Sequence, residues 1–461
     1  MKMECFVVYR NEIERRLDPY FYRSSFRNTE EKLKNINVKK LSEISKRIKK
    51  GIFYILAEEY VDSGVPFIRV SNLKDGTITK DNLVCITEYM NLKHKRTEFH
   101  PGDILISKTG NLAVSVIPDD IPKCNISQDI IGIELKEGYN SKYVAIFLNS
   151  EFGIYQLSRI LQGQVQSHLT VSSVREIKIP ILSHNKQDKI VQIMENAFKL
   201  KREKEAEAKQ LLDSINDYIL SELGIKLPEL RDRMTFVVYA DNVKSKRMDP
   251  YYYQPKFGEI EKAIENGKFD LVKIKDVLEI NNKLENIYNY QKIRYIDLAS
   301  IDKNLGIVKK YKIIDSSDAP SRARQKVTKG DLLLASLSGS LKSIAIVNKE
   351  DNNMIASTGF YIVKNKEEYD NYYLWALFRS YIYQILLSKE TTGAIMSAIN
   401  RNALLNLKIP FPPLNVQDKI SNVVEKRLER AKQLQKEAKE ILEKAKQKVE
   451  NIILNGETNE S

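Results

Sequence analysis

One stretch of the chain carries side chains of the types used in metal-dependent cleavage of phosphodiesters. Pro118-Asp119 is followed by Glu134-Leu-Lys136, and two carboxylates with a nearby lysine can hold a divalent ion beside a scissile phosphate. The pattern is weak, because charged residues make up 29% of the sequence and such matches arise easily by chance. A metal-dependent nuclease is therefore only an alternative hypothesis.

A second candidate for catalysis is Asp18-Pro-Tyr-Phe21, which is similar to the Asp-Pro-Pro-Tyr motif of amino-methyltransferases. It lacks the second proline, and no GxGxxG or GxxxxGK[ST] stretch is present to cradle a cofactor or nucleotide. The structural alternative is an extended lead-in segment whose backbone is restricted by Pro19. The sequence therefore predicts no catalytic, cofactor-binding or metal-binding residues, with a single-chain nuclease or methyltransferase as the alternative.

The charge of the chain favours a polyanionic partner. Lys and Arg number 74 against 61 Asp and Glu, which gives a net charge of +13 and makes nucleic acid the first candidate. A lysine-rich composition without functional meaning is the alternative. The three cysteines, Cys5, Cys85 and Cys124, form no CxxC pair, and no apolar run reaches the roughly 18 residues of a membrane span. We therefore expect a cytoplasmic protein.

Basic and amide side chains in the predicted loops are the candidates for DNA contacts. Arginine and lysine suit guanine edges and phosphates, whereas asparagine and glutamine suit adenine. At each position the alternative is a solvated surface residue. The candidates in the first half of the chain are Arg69, Asn72, Lys108, Asn111, Gln164, Gln166 and His168. The candidates in the second half are Arg322, Arg324, Gln325, Lys342, Arg401 and Asn402.

The chain consists of two copies of one unit. Phe6-Val-Val-Tyr9 recurs as Phe236-Val-Val-Tyr239, and Gly102-Asp-Ile-Leu-Ile106 recurs as Gly330-Asp-Leu-Leu-Leu334. The period is far too long for a solenoid, so the sequence predicts a duplicated domain. An alignment of the copies places Val363 opposite Glu134. The other recurring segments are Arg16 to Tyr22 with Arg247 to Tyr253, Lys178-Ile-Pro180 with Lys408-Ile-Pro410, and Gln187-Asp-Lys-Ile190 with Gln417-Asp-Lys-Ile420.

Each copy begins with short strands and continues into helices. In the first copy, apolar alternation and short apolar runs predict strands at 66–71, 104–106 and 129–135. Apolar residues at helical spacing predict a helix over 143–161, and Ile177-Lys-Ile-Pro180 closes the globular part. The second copy repeats this order.

Each globular part is followed by a long helix. Asn185 and Asn415 each precede an Asp by three residues, which predicts them as N-caps, and Gly224 is the predicted end of the first helix. Narrow apolar stripes among many charged residues predict that the two helices pack against each other. Packing of each helix on its own domain is the alternative. The predicted seam is Ile190, Met194, Ala197, Leu211, Ile215, Ile420, Val424, Ala431, Leu434, Ala438, Ile441 and Ala445.

The ordered set of motifs, present twice, resembles the specificity subunits of type I restriction–modification systems. The strand Phe67 to Leu73, the Gly102 to Ile106 strand, a loop centred on Gly163, the Lys178 to Pro180 closure and the Gln187 to Ile190 helix start carry the resemblance over nearly the whole chain. It implies an α+β fold with two target-recognition domains. These would be related by pseudo-two-fold symmetry and separated by two long helices in an antiparallel coiled coil.

The resemblance also implies domain bounds and partners. The expected parts are a first recognition domain with its lead-in at 1–184, a helix at 185–225, a second recognition domain at 226–414, a helix at 415–455 and a disordered tail at 456–461. Each domain would read one half of a bipartite, asymmetric DNA site. Two adenine-methyltransferase subunits would dock on the helices, and restriction (translocase) subunits would join the complex. The non-enzyme alternative is a structural coiled-coil protein that does not bind DNA.

Overall fold

The chain forms two compact units. A computed structural model describes residues 7–10, 13, 19–34, 36–52, 57–74, 76–109, 112–161, 168–230, 234–239, 243, 247–281, 283–392 and 397–455. Unit 1 comprises Met1–Arg202 together with Ala438–Ser461, and unit 2 is Glu203–Glu437. Both unit boundaries fall inside the two long helices, so each helix contributes one part to each unit. The tail predicted at 456–461 lies outside the described residues.

The strands of unit 1 form two four-stranded sheets and two short ladders among the described residues. The sheet orders are β6-β3-β10-β7 and β2-β11-β8-β9, and β1-β12 and β4-β5 are the ladders. In the first sheet β3 and β10 run parallel. The strands are β1 (Val38–Lys40), β2 (Ser45–Lys50), β3 (Val65–Ile68), β4 (Leu73–Lys74), β5 (Thr77–Ile78), β6 (Val84–Ile86), β7 (Glu98–Phe99), β8 (Ile104–Ser107), β9 (Val114–Val116), β10 (Cys124–Ile126), β11 (Ile130–Leu135) and β12 (Lys178–Pro180).

Strand β8 explains the continuous apolar run after Gly102-Asp103. All four of its residues are buried. Ile104 and Ile106 face one hydrophobic cluster with the helices, while Leu105 faces a second cluster on the other side of the sheet. A strand that is covered on both faces needs apolar residues at successive positions, so this part of the unit 1 core has a layer on each side of the sheet.

The helices of unit 1 correct one sequence prediction. The helix predicted over 143–161 is two helices, because the extended backbone of Ser150 ends the first helix and its Oγ accepts a hydrogen bond from the Gly153 amide of the next. A serine at this position satisfies an amide of a new helix N-terminus. The helices before the first long helix are α1 (Ser24–Leu33), α2 (Leu41–Ile44), α3 (Glu88–Lys93), α4 (Ser141–Asn149), α5 (Glu151–Arg159) and α6 (Val171–Arg175).

Unit 2 repeats most of these strand pairings, which confirms the duplicated α+β fold. Its second sheet differs, because it includes the counterparts of β4 and β5, and the counterpart of β2 is reduced to an isolated bridge between Ile280 and Val363. Its sheets have the orders β17-β14-β21-β18 and β15-β16-β20-β19-β22, with the ladders β13-β25 and β23-β24, and β14 runs parallel to β21. The strands are β13 (Leu271–Lys273), β14 (Lys292–Ile296), β15 (Ile301–Asp302), β16 (Ile307–Val308), β17 (Lys312–Asp315), β18 (Ala323–Lys326), β19 (Leu332–Ala335), β20 (Ile344–Ile346), β21 (Met354–Ser357), β22 (Phe360–Val363), β23 (Thr391–Thr392), β24 (Ala398–Ile399) and β25 (Lys408–Pro410).

Two long helices follow the globular parts of the two copies. The first, α7, spans His184–Leu223, and the second, α13, spans Leu414–Asn455. Gly224 adopts a φ of 67°, a left-handed conformation that ends α7 as predicted. The other helices of unit 2 are α8 (Pro255–Glu265), α9 (Ile274–Val277), α10 (Asn371–Arg379), α11 (Tyr381–Lys389) and α12 (Arg401–Asn406).

The predicted N-caps of both long helices are wrong by two residues. The amides of Lys186 and Gln187 donate to the carbonyl oxygen of Ser183. In the second copy, the Gln417 amide likewise donates to the Pro413 carbonyl. Asn185 therefore already lies inside the first turn, because the preceding loop supplies the carbonyl acceptor.

The two long helices pack antiparallel within unit 2. Glu222, near the C-terminal end of α7, forms an ion pair with Lys419 of α13 at 3.0 Å. Lys204, near the middle of α7, forms an ion pair with Glu437 at 3.0 Å. Later residues of α7 therefore lie beside earlier residues of α13, as in an antiparallel pair of helices. Between these pairs, Arg427 donates to the Ser214 carbonyl at 2.7 Å.

The predicted seam residues are buried with two exceptions. Leu211 and Ile441 are half-buried at the margins of the unit 2 and unit 1 clusters, respectively. In unit 1, the start of α7 packs in one cluster with Ala445 to Ile453 of α13. The fully buried members are Ile190, Met194, Ala197, Ile215, Ile420, Val424, Ala431, Leu434, Ala438 and Ala445.

The register of the strands corrects the alignment of Glu134. Ile104 of β8 faces Ile133, and its counterpart Leu332 of β19 faces Val363. Val363 is therefore equivalent to Ile133, and Lys364 is equivalent to Glu134. The second copy still lacks the carboxylate, but it replaces the carboxylate with a cation rather than with an apolar residue.

Candidate nucleic-acid interface

Three basic side chains come together at one edge of the second sheet of unit 1. Strands β2 and β8 both pair antiparallel with β11, so they run in the same direction and end at the same edge. Lys50 is the last residue of β2, and Lys108 directly follows β8. The Leu169 amide donates to the Lys108 carbonyl at 3.0 Å, which brings the neighbouring His168 to this edge. The three side chains line one shallow depression.

Burial and like charge act on Lys108 in this depression. Desolvation lowers the pKa of its ammonium group below the ordinary value, and the charge of Lys50 lowers it further. Asp129 acts in the opposite direction but does not cancel the shift. A negatively charged group bound here would relieve the repulsion between the lysines, so the edge is suited to an anion.

A basic ridge of unit 1, formed by Lys93, His94, Lys95 and Arg96, was missing from the sequence-based candidates. The ridge joins α3 to β7, and all of its residues except the half-buried His94 are exposed. Arg47 donates to the carbonyl oxygens of Arg96 and Glu98, which holds this backbone against the sheet.

The strand registers show that the ridge matches two predicted residues of unit 2. Glu98 faces Asn125 of β10, and Lys326 faces the equivalent residue Ile355 of β21. Glu98 and Lys326 therefore occupy equivalent positions. Counting back from them, Arg96 is equivalent to Arg324 and His94 is equivalent to Arg322. Arg322 and Arg324 are both exposed. The internal repeat could have identified the ridge from the sequence. The residues 228 positions before Arg322 and Arg324 are His94 and Arg96.

Two predicted contacts lie in the interior. Asn72 is fully buried, and its amide nitrogen donates to the Thr79 and Asp81 carbonyls while its Oδ1 accepts from the Arg69 amide. Gln325 is buried too, and its Nε2 donates to the Ser357 and Phe360 carbonyls at 2.9 Å each. Because these amides already bind backbone groups, we correct both to structural roles and leave them out of the interface.

Two predicted arginines also bind their own unit. Arg69 donates from Nη2 to the Asn82 carbonyl at 2.6 Å, and Arg401 donates to the carbonyls of Asn281 and Ile280 at 3.1 Å each. Both guanidinium groups are half-buried. Both side chains stabilise loops through these hydrogen bonds, and both remain partly exposed to solvent. Their contacts with DNA therefore stay predictions.

The remaining candidates are exposed or outside the described residues. Lys342 and Asn402 are exposed in unit 2. The predicted Asn111, Gln164 and Gln166 lie outside the described residues, and their role stays a prediction.

The residues of the nuclease-like pattern have structural partners. Glu134 on β11 forms ion pairs with Lys46 at 2.6 Å and Arg47 at 3.0 Å. Lys136 donates to the Glu43 carbonyl at 2.7 Å. Within the described ranges, no group of three or more His, Cys, Asp or Glu residues is arranged to hold a metal ion.

The methyltransferase-like motif has a structural role in its second copy. Asp249, the counterpart of Asp18, accepts a hydrogen bond from the Tyr252 amide at 3.1 Å and pairs with Arg247 at 2.7 Å. It therefore caps the short helical turn Pro250–Tyr253. Asp18 itself lies outside the described residues.

Sequence comparison supplies the family. Residues 33–211 and 266–444 both match the type I restriction modification DNA specificity domain, and together they cover more than half of the chain. The chain belongs to this family. The matched segments correspond to the two copies and extend into both long helices, so this type I specificity protein carries its family domain twice, as its internal repeat indicates.

Several known proteins are similar to this chain over most of its length. The type I restriction enzyme MjaVIII specificity subunit of Methanocaldococcus jannaschii is 24% identical over 418 residues, which are 88% of this chain and 86% of that protein. The type I system S subunit from M. genitalium has a TM-score of 0.43 at 13% identity, over 93% of this chain and 98% of that one. A chain from a type I R-M system studied for its assembly and conformational transition has a TM-score of 0.45 at 16% identity, over 91% and 96%.

The chain has the role of a specificity subunit in a restriction–modification system, as the family match and the curated relative establish. Across the described part of the chain, no helix has the length and apolar character needed to cross a membrane.

Proposed function

We propose that this specificity subunit reads a bipartite, asymmetric site in double-stranded DNA, with one half-site for each unit. The observation that carries the proposal is the presence of different basic side chains at matched positions of one duplicated scaffold. Where unit 1 has His94, unit 2 has Arg322, and different donors at the same place select different bases. Where unit 1 has Lys108, unit 2 has Ser336, so the contacts that position the DNA backbone differ as well.

The charge distribution supports DNA as the ligand. The net charge of +13 and the exposed Arg96, Arg322 and Arg324 provide the electrostatic attraction on which protein–DNA affinity largely depends. A purely structural coiled-coil protein would not need such side chains at matched positions of both units.

The long helices are the proposed docking surface for two adenine-methyltransferase subunits, and restriction subunits join the resulting complex. In unit 2, α13 directs Ile420, Val424 and Leu434 into the core, while charged side chains such as Glu425 and Lys426 alternate around the outer part of the helix. A helix whose apolar stripe is already buried presents a polar outer face for a partner of complementary charge.

The subunit itself is proposed to be non-catalytic and to need no cofactor. Two residues of the nuclease-like pattern bind neighbouring residues of the same unit. Glu134 forms an ion pair with Lys46, and Lys136 donates to the Glu43 carbonyl. Purified chain should transfer no label from S-adenosylmethionine to DNA and should leave plasmid intact in the presence of magnesium. Transfer or cleavage well above background would overturn this part of the proposal.

The test of DNA reading is selection of bound sequences from a random duplex library by the chain assembled with its methyltransferase subunits. We expect two unlike half-sites separated by a fixed gap. Arg324→Gln should relax selection in one half-site only, and Arg96→Gln should affect only the other. A perfect palindrome, or relaxation of both half-sites by one substitution, would contradict the proposal.

A further inference from the structure

The depression at the sheet edge of unit 1 has the chemistry of a phosphate site. It is lined by Lys50, Lys108, Ile131, His168, Leu169, Thr170 and Val171. We infer that it binds one phosphate of the DNA backbone through Lys108 and that unit 2, which has Ser336 at this position, lacks the lysine contact. This inference rests on the proposed DNA-binding function, and it assigns Lys108 to backbone positioning rather than to base reading.

The geometry of the depression is fixed by backbone pairing rather than by flexible loops. Ile131 of β11 faces Lys50 on one side and Ile106 on the other. The Lys108 amide donates to the Asp129 carbonyl at 2.6 Å, and the Lys108 carbonyl accepts from Leu169 at 3.0 Å. With its main chain held on both sides, Lys108 directs its ammonium group from a fixed point beside Lys50.

The lining favours a phosphate over a base edge. The basic groups are two ammonium groups and an imidazole, and the apolar side chains in the lining are Ile131, Leu169 and Val171. Lysine acts on phosphate as a compact point charge, while bidentate reading of a base edge is favoured by the planar groups of Arg, Asn and Gln. An anion between Lys50 and Lys108 also removes their mutual repulsion, which a neutral base edge would do less well.

Unit 2 has different side chains at the matching edge. Arg401 stands at the position of Val171, and its guanidinium group donates to the carbonyl oxygens of Asn281 and Ile280. The Ile399 amide donates to the Ser336 carbonyl at 2.8 Å, just as Leu169 donates to Lys108, so Ser336 and Ala398 stand where unit 1 has Lys108 and His168. Tyr361, the counterpart of Ile131, donates from its hydroxyl group to the Ile399 carbonyl at 2.7 Å. The position that matches Lys50 is residue 282, which lies outside the described residues.

The two half-sites should therefore differ in how the backbone is held. A phosphate contact adds affinity without regard to sequence and fixes the position of the duplex. Unit 1 would hold its half-site with one contact that unit 2 lacks, and this contact would contribute to the salt dependence of binding by the full chain.

The test is the slope of log affinity against log salt for the full chain on duplex DNA. Loss of one phosphate contact lowers the magnitude of this slope by about 0.9. We expect this change for Lys108→Gln, with equal loss of affinity on specific and scrambled duplexes, and we expect Lys108→Arg to restore the slope. Lys199→Gln, at an exposed position of α7, is the matched control of equal charge change and should leave the slope nearly unchanged.

Other outcomes separate this inference from the proposed function. If wild-type chain binds DNA but Lys108→Gln keeps the wild-type slope and folds normally by circular dichroism, the phosphate site is wrong and DNA reading stands. A loss confined to one base pair of the specific site would make Lys108 a base contact and also overturn the inference. Absence of salt-dependent binding by the wild-type chain would remove the proposed function itself.

Discussion

Units 1 and 2 keep the same hydrogen bonds where strand meets helix but differ in charge along the neighbouring strands. The Tyr143 hydroxyl donates to the Pro180 carbonyl at 2.9 Å, and the Tyr373 hydroxyl donates to the Pro410 carbonyl at 2.7 Å. Next to β8, by contrast, unit 1 has Glu134 where unit 2 has Lys364.

The shared hydrogen bonds are made to backbone carbonyl groups, whereas the side chains that differ in charge form ion pairs with other side chains. Gln187 and Gln417 both donate to the carbonyl five residues earlier, at 2.8 and 2.9 Å, which gives this glutamine the same structural role in both copies. A side chain bound to backbone is retained as long as the backbone path is retained. A side chain bound to another side chain depends on which partners surround it: Glu134 pairs with Lys46, whereas Lys364 pairs with Asp331. Asp331 itself has the counterpart Asp103 in unit 1, so only the other member of the pair differs.

The largest expected effect is the loss of the helix seam. Leu434→Asp places a charge at a fully buried position of unit 2 and should lower the free energy of unfolding by about 3–5 kcal/mol. Ile441→Asp should cost less, because Ile441 is only half-buried. Denaturant unfolding measures both, and combining the two substitutions should abolish co-purification with a methyltransferase subunit. Lys444→Asp, on the exposed face, is the control, and equal costs at all three positions would argue against the seam.

The shared hydrogen bonds should give equal and moderate effects in the two units. Tyr143→Phe and Tyr373→Phe each leave a buried proline carbonyl without its donor, which costs about 1–3 kcal/mol. The cavity change is minimal, since only one oxygen atom is removed. Thermal unfolding of both variants tests the equivalence of the units, and a clear loss in one variant with none in the other would break it.

The charge reversal should appear in the pH dependence of stability. The hydrogen bond from Lys46, together with Arg47, holds the pKa of Glu134 below its ordinary value. A lowered folded-state pKa contributes stability that is present above the unfolded pKa of about 4.3 and is lost as the pH falls through the folded value. Glu134→Gln should therefore reduce stability near neutral pH and flatten its decline in acid, as measured by urea unfolding between about pH 7 and pH 3.

The matched variant in unit 2 provides the contrast. Lys364→Gln removes a cation from the Asp331 carboxylate, which is completely buried. Its loss leaves this buried group without the ammonium group that donates to it at 2.6 Å, which should lower the free energy of unfolding by about 1–3 kcal/mol. Denaturant unfolding measures the loss. Lys364→Arg, which keeps the charge, should lose less, and equal losses would show that Lys364 acts through packing.

The smallest effect on the fold should come from the basic ridge. Arg96→Gln and Arg324→Gln alter exposed residues and should change the free energy of unfolding by less than about 0.5 kcal/mol. Each should lower the magnitude of the salt slope of DNA binding by up to about 0.9 if it contacts a phosphate. Titrations at several salt concentrations measure this, and a change for one variant only would show that the ridge is used in a single unit.

Elements governed by local patterns could be predicted from the sequence. The two long helices and most seam residues follow from apolar spacing and from Gly224, because these signals depend on near neighbours. The strands at 104–106 and 129–135 follow from the same reasoning. The confirmed repeat is what connects these local signals into a family and a fold.

The amide side chains could not be assigned in this way. Asn72 is buried because its amide nitrogen donates to the Thr79 and Asp81 carbonyls and so closes the loop that follows β3. Gln325 points into unit 2 because β18 alternates buried and exposed residues, and a shift of one position would have exposed it. The sequence contains the right residue types for binding, but strand register decides which of them reach the surface.

Unit 1 is assembled from two stretches of chain, and this has a consequence for synthesis on the ribosome. The 235 residues (437 − 203 + 1) of unit 2 are translated between its two parts. Ile190 and Met194 share a hydrophobic core with Val449 and Ile452. At a synthesis rate of about 5–20 residues per second, the second pair is made roughly 10–50 seconds after the first. During that interval the apolar side chains of the unit 1 core lack part of their packing partners. A chaperone that binds the nascent chain would therefore be needed most by unit 1, whose larger part is synthesised first.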